Sequence, residues 1–355
     1  MTGGLRVEQQ FYVGSYGHQD ESVIHSVKFN GATGQMRLMK GTKGIENASF
    51  LTVNRDRTML YAVSEKHGGE HGSIVSFTMD SARGHLKAVT ELSTLGGVPC
   101  HLVMDKQENH IIVTNYSGGN VCSFGLGEDG TLVELVDNEI HTGRGPRDDR
   151  QEASHPHSAI VDPLNRFVLV ADLGTDKIVH YRLEGETGRL IPHRETNTAP
   201  GAGPRHLVFH PTGELLYVVN ELDSTVVVYR YDAVDSMLQV LQVIRTLPES
   251  FEGESTCADI HITSDGRYLY ASNRGHDSLA VYRVVEGGKL ELVEYAPCGG
   301  STPRNFAITA DDRYVVVANQ SSDTIVSYSI DQESGKLMPT GHQLDVKAPV
   351  CIIFF

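Results

Sequence analysis

Five side chains in this 355-residue sequence are of types that capture anions and move protons: His157, Arg205, Glu221, Arg274 and Arg304. They stand in short polar strings, with His157 in HPHS, Arg205 in GPRH, Glu221 in VVNEL, Arg274 in SNRG and Arg304 in TPRN. A guanidinium presents a planar fork of donors that matches a phosphate or carboxylate in bidentate fashion. A carboxylate or imidazole held beside such cations can accept a proton from an attacking water molecule. Together these residues would hold a small anion and activate water against it. They run from position 157 to position 304, so only the fold can gather them.

The elements that could do so recur. Six segments share an apolar strand, a polar turn, a second apolar strand and a polar tip: SFLTVNRDRTMLYAVSE, CHLVMDKQENHIIVTNY, HSAIVDPLNRFVLVADL, RHLVFHPTGELLYVVNE, ADIHITSDGRYLYASNR and RNFAITADDRYVVVANQ. Aligned without gaps, they place Ser64, Asn115, Asp172, Asn220, Asn273 and Asn319 in one column, and FYVGSY near the N-terminus adds Ser15. Column members follow each other at 46 to 57 residues, the length of a four-stranded propeller blade. Each repeat continues with a β-branched third strand (STVVVYR, DSLAVYR, DTIVSYS), a glycine turn (ETGRL, EGGKL, ESGKL) and a more polar fourth strand. Alternation and β-branched enrichment at this spacing argue for strands rather than helices. APVCIIFF at the end reads as a first strand without a sequel, while FYVGSYG and SVIHSVKF read as second and third strands without a predecessor. The sequence therefore predicts an all-β, seven-bladed propeller of four-stranded antiparallel blades, one domain over residues 1–355, closed by strands from both termini in a shared blade.

Within such a blade the first strand leaves one mouth of the channel and the second returns to it. The start of strand one carries Ser49, Cys100, His157, Arg205, Ala258 and Arg304, followed by Phe50, His101, Ser158, His206, Asp259 and Asn305. Just past strand two come Glu65, Tyr116, Leu173, Glu221, Arg274 and Gln320, with Tyr16 from the closing blade. One mouth should thus collect His157, Arg205, Glu221, Arg274 and Arg304, with His101, Asp259 and Asn305 beside them. Glu221, His157 and Arg274 are the catalytic candidates; Arg205, Arg304, His101, Asp259 and Asn305 are the expected substrate contacts. The longest interblade loop, 141–156, should overhang this mouth as a potential lid and adds Arg144, Arg147 and Arg150.

Each feature has a structural reading beside the functional one. Asx side chains bond the backbone at turns, so the repeated Asn/Asp column is expected to be architectural. Arg205 and Arg304 could bridge blades, Glu221 could be a counter-ion, and Asp259 suits a buried turn cap as well as a catalytic part. His155 and His157 alternate on a strand and could share a face, but without a third ligand no metal is expected. His206, His210 and His261 lie inside strands and are expected to be packed or hydrogen-bonded.

The net charge of -15 repels phosphodiester backbones and anionic headgroups, which argues against nucleic acid or membrane partners. Five widely spaced cysteines without a CxxC pair indicate neither a disulfide framework nor a zinc knuckle. With no apolar leader among the first residues, a cytoplasmic protein is expected. Nothing in the sequence speaks to oligomeric state.

The strings SHPHSAIVDP, GAGPRHLVFHP with VVNELDSTV, ADIHITSDGRYLYASNRG and TPRNFAITADDRYVVVANQ resemble the propeller-type 6-phosphogluconolactonase family, across nearly the whole chain. The family also includes carboxymuconate-cyclase-like members. The resemblance implies metal-free, cofactor-free hydrolysis of a small anionic lactone, foremost 6-phosphoglucono-δ-lactone of the pentose phosphate pathway. Its active-site set falls on His157, Arg205, Glu221 and Arg274, with either Glu221 or His157 as the base. A lactone-forming cycloisomerase and a non-catalytic interaction platform are the alternatives, and fold alone does not choose among them.

Overall fold

The computed structural model describes residues 8–66 and 71–355. These residues form seven four-stranded antiparallel sheets, and the only helical turns among them are two three-residue 3-10 segments, Glu286–Gly288 and Gln320–Ser322. The innermost strands are Leu51–Val53, Pro99–Met104, Pro156–Val161, Pro204–Phe209, Thr256–Ile262, Pro303–Ile308 and Pro349–Phe354. They open blades 1 to 7 respectively. Each packs beside the next, and Pro349–Phe354 packs beside Leu51–Val53, so the ring is closed. The closing sheet joins the last strand to the first, Glu8–Ser15, with Phe11 paired to Phe354. Their rings lie 5.0 Å apart, and Tyr12 stacks on Phe355 at 4.9 Å.

The local causes are repeated from blade to blade. Second strands such as His110–Asn115 and Phe167–Asp172 are buried along their length, while fourth strands such as His85–Ser93 mix exposed and covered residues at the rim. In the first hairpin of blade 3, Asp162 accepts from the amides of Arg166 and Phe167 at 2.5 and 2.8 Å; Asp105 does the same for Asn109 and His110 in blade 2. Such Asx bonding fixes the turn. The apolar side chains gather in seven clusters, one at each interface between neighbouring blades. The core is therefore a ring of interfaces around the channel.

The Asn/Asp column is architectural, but three of its asparagines bond the preceding blade rather than the backbone of their own turns. Asn115, Asn273 and Asn319 donate to the carbonyls of Thr94, Thr246 and Cys298 at 3.2, 2.8 and 3.0 Å. Each bond ties the end of a second strand to the segment leaving the preceding blade.

One device was not read from the sequence. Six of the seven innermost strands carry a β-bulge at their start. In blade 4, Pro204 pairs with Asn220 and His206 with Val219, leaving Arg205 as the extra residue. His157, Arg304, Cys100 and Val350 hold the same position in blades 3, 6, 2 and 7. A bulge re-aims side chains, and a strand's first residue is where proline, lacking an N–H, is tolerated.

Candidate active site

The bulged residues and their successors meet inside one mouth of the channel. His157, Arg205, His206, Arg304 and Asn305, with Phe50 and Cys100, line a tight cavity of about 10 Å³, room for one water molecule. A wider groove of about 390 Å³ runs along the outer rim past His141, Tyr181 and Arg194. There His141 is already engaged by Asp172 and the Tyr181 hydroxyl, both at 2.8 Å, so the channel carries the reactive groups.

Glu221 is the electrostatic centre. Its Oε2 accepts from Arg205 Nε at 2.9 Å and lies 2.9 Å from Arg274 Nη2, while Oε1 accepts from Arg150 Nη2 at 2.5 Å. Burial alone would raise this carboxyl. The charges of Arg274, Arg205 and Arg150 overcome burial and hold it far below the usual carboxylate range. Arg205 is also buried and donates through Nη1 to the Ala258 carbonyl at 2.5 Å. Burial and the neighbouring Arg274 and Arg304 pull it down to about 9, so it stays charged at neutral pH. Arg304 stands apart. Its guanidinium lies 5.5 Å from the centroid of the Tyr16 ring, and no carboxylate of a described residue is within ion-pair distance of it.

Behind the arginines lie imidazoles. His206 Nδ1 is 2.7 Å from Asp259 Oδ1, and its Nε2 faces Arg205 Nη1 at 3.2 Å. Asp259 Oδ2 also receives His261 at 2.9 Å and the Asn305 amide at 2.6 Å. His157 packs edge-on against His206 and Tyr116, and its buried Nδ1 has no hydrogen-bond partner. His101 is wedged between Phe50 and His206 at ring distances of 4.2 and 5.5 Å. Burial, reinforced by nearby cations, pushes His157 and His101 well below the ordinary imidazole value and His206 down to about 4. All three are neutral at pH 7. Burial also pushes the Cys100 thiol up to about 12, which removes it as a nucleophile.

The profile of the family described as "Lactonase, 7-bladed beta-propeller" matches residues 10–354. This chain belongs to that family. It is 33% identical over 344 residues, 97% of each chain, to the protein named 6-phosphogluconolactonase from Bacillus subtilis. A relative of the same name from Formosa agariphila is 32% identical over 97% of this chain and 99% of its own. The structure of a periplasmic gluconolactonase from Pseudomonas aeruginosa superposes with a TM-score of 0.91 at 29% identity, covering 98% of this chain and 99% of that one.

In this lactonase the structure brings His157, Arg205, Glu221, Arg274 and Arg304 to one mouth, with Asn305 on the cavity wall. His101 and Asp259 sit one layer behind, in contact with His206 rather than with the cavity. Two residues, His206 and Arg150, go further than the sequence indicated. His206 is hydrogen-bonded, as expected of a strand residue, yet it also lines the cavity, because the bulge turns two successive side chains inward. His261 bonds Asp259 from within its strand, whereas His210 lies one residue beyond its strand and bonds Thr212. Arg150 alone of the loop arginines reaches the centre; Arg144 pairs with Asp148, and Arg147 donates to the Leu222 carbonyl. His155 stacks on Tyr116 and bonds the Tyr116 carbonyl and Glu152, so it makes no pair with His157. Among the described residues no group of three or more His, Cys, Asp or Glu is arranged to hold a metal ion.

The neutral imidazoles set a pH dependence of stability in this lactonase. For His101, His157 and His206 the folded value lies below the unfolded value of about 6.5, so the unfolded chain protonates first. Their stabilisation is complete above that value and is lost as pH falls towards the folded value, about 4 for His206. Each imidazole contributes a slope of up to ~1.4 kcal/mol per pH unit. His261, raised by Asp259 against its burial, changes stability only above its unfolded value, where stability falls as pH rises, and adds no slope below it. Glu221 and Asp259, both depressed, lose their contribution only at lower pH. Urea unfolding at pH 7, 6 and 5 should show stability declining across this window; a flat profile would mean that the three rings are not held neutral.

Proposed function

We propose that this protein hydrolyses 6-phosphoglucono-δ-lactone to 6-phosphogluconate. The observation that carries the reading is Arg304: a guanidinium facing the channel cavity, stacked on Tyr16, with no carboxylate partner among the described residues. A cation outside ion-pair distance of every described carboxylate, in a protein of net charge -15, is suited to an anionic ligand. The names of the Bacillus subtilis and Formosa agariphila relatives supply the substrate class.

In this reading Arg304 and Arg205 hold the anionic substrate, and Arg274 faces the lactone carbonyl. His157, neutral and lining the cavity, takes a proton from water as the water oxygen attacks that carbon. The carbonyl π electrons move onto oxygen, where Arg274 stabilises the developing charge. The intermediate collapses by breaking the ring C–O bond, and His157 returns the proton to the leaving ring oxygen. Glu221 is a poor base by comparison. Three guanidiniums lower its proton affinity far beneath that of a group matched to neutral pH, and its role is to fix the arginines. General base catalysis by a positioned imidazole contributes about 10²–10⁴-fold.

The test is hydrolysis of freshly generated 6-phosphoglucono-δ-lactone beside unphosphorylated gluconolactone, each against its spontaneous rate. Acceleration that favours the phosphorylated lactone is the expected result. Preference for gluconolactone, the substrate class in the name of the Pseudomonas aeruginosa protein, would replace the substrate. No acceleration of either would remove the hydrolase reading.

A further inference from the structure

Arg205 is the most constrained cation of the site, and what constrains it crosses four blades. Its Nη1 donates to His206 Nε2 at 3.2 Å; His206 Nδ1 meets Asp259 Oδ1 at 2.7 Å. Asn305 Nδ2 donates to Asp259 Oδ2 at 2.6 Å, and Asn305 Oδ1 accepts from the Ile352 amide at 2.7 Å. These residues lie on the innermost strands of blades 4, 5, 6 and 7. The belt therefore runs from a substrate-site arginine to the strand that closes the ring.

The protons in this belt are fixed by chemistry. Asp259 also accepts from His261 Nε2, and from the amides of Ile260 at 3.0 Å and Phe306 at 3.3 Å. A carboxylate collecting five donors is ionised and cannot donate, so His206 carries its proton on Nδ1. Arginine donates only, so Nε2 must be a bare lone pair facing it. The groups around the ring are Arg205, Asp259, His101, His157 and Phe50, and none supplies a proton to Nε2.

We propose that His206 is a positioning residue for substrate binding: Asp259 fixes its tautomer, and its Nε2 lone pair holds the Arg205 guanidinium in the orientation that receives the substrate anion. This rests on the hydrolase reading above. It differs from a merely structural role, in which His206 would matter only as a donor to Asp259. It differs also from a proton-carrying role, in which Nε2 itself would accept the proton of water.

Two substitutions separate these roles, because each keeps one end of the ring. His206→Gln places an amide oxygen near the Nε2 position and keeps the acceptor for Arg205. His206→Asn places an amide nitrogen near Nδ1 and keeps only the donor to Asp259. Positioning predicts a KM within a few-fold of wild type for Gln, and a KM about 10- to 100-fold higher for Asn, the loss of one charge-assisted hydrogen bond, with kcat changed by a few-fold at most. The reverse order would assign His206 to anchoring Asp259, and a collapse of kcat in both variants would make it the proton carrier; either overturns the proposal. A second readout does not need turnover. With 15N-histidine labelling, and the His206→Gln variant to assign the resonances, the wild-type ring should be protonated at Nδ1 and bare at Nε2 at pH 7. Protonation at Nε2 overturns the proposal even if the Asn variant fails to fold. Absence of wild-type turnover with a bare Nε2 would remove the hydrolase reading and leave the belt in place.

Discussion

Replacing Glu221 by Gln is expected to lower stability by about 3–5 kcal/mol, the cost of removing one partner from a buried ion pair. The carboxylate is 4% exposed and is shared by Arg150, Arg205 and Arg274. A glutamine has the same shape but one acceptor oxygen and no charge, so three guanidiniums would face each other with one weak bond among them. Their repulsion should spread the cluster, and kcat/KM for the phosphorylated lactone should fall by at least about 10²-fold, because approximate placement is costly in a preorganised site. The two roles open to Glu221 predict different companions to that loss. A pinning anion can be replaced from solution, so inorganic phosphate should stabilise Glu221→Gln by more than it stabilises wild type. A general base cannot be replaced in that way, and its amide would leave a stable protein with a reduced kcat and an unchanged response to phosphate. Urea unfolding with and without phosphate, beside steady-state kinetics, decides between them. A variant as stable as wild type would return Glu221 to the role of base.

That distinction marks where the sequence stops being informative. The propeller was legible because strand period, turn residues and repeat length are local properties written out seven times. The column ending in Asn220 and Asn273 even fixed which residues share a mouth. The bulge was not legible by the same logic. Strict alternation sends neighbouring side chains to opposite faces, so nothing in the strand pattern placed both Arg205 and His206 in the cavity, and His206 was read only as a packed or hydrogen-bonded strand residue. The extra residue at each strand start breaks that alternation and brings both inward. A signal was present: Pro99, Pro156, Pro204, Pro303 and Pro349 each stand one residue before the bulge. The loop arginines were a harder case. Arg144, Arg147 and Arg150 look alike in sequence, but Gln151 bonds the Leu173 carbonyl and Asp176, and that anchor sets which of them reaches Glu221. Relative proton affinities were also out of reach, since they depend on how many cations a single carboxylate meets.

The other large effect is expected at Arg304, and its pattern should be the opposite of that at Glu221. Arg304 bridges to no carboxylate among the described residues, although the charges of Glu65 and Glu221 favour its protonated form, so Arg304→Met removes a cation that lines the cavity without breaking a described ion pair. A thioether chain, though shorter, can still pack towards Tyr16. Stability should therefore stay within about 1 kcal/mol of wild type, the range of a substitution that breaks no buried pair. Binding should suffer. Losing a guanidinium's charge-assisted bonds to a phosphate is worth about 1.5–3 kcal/mol each, so KM for 6-phosphoglucono-δ-lactone should rise about 10- to 100-fold while kcat stays within a few-fold. Unphosphorylated gluconolactone supplies the internal control: if Arg304 reads the anion, the variant should lose much of its preference between the two lactones. An Arg304→Met protein that is destabilised like Glu221→Gln, with both lactones affected equally, would make Arg304 a brace between blades. The anion would then have to be read by Arg205 and Arg150, both of which already pair with Glu221.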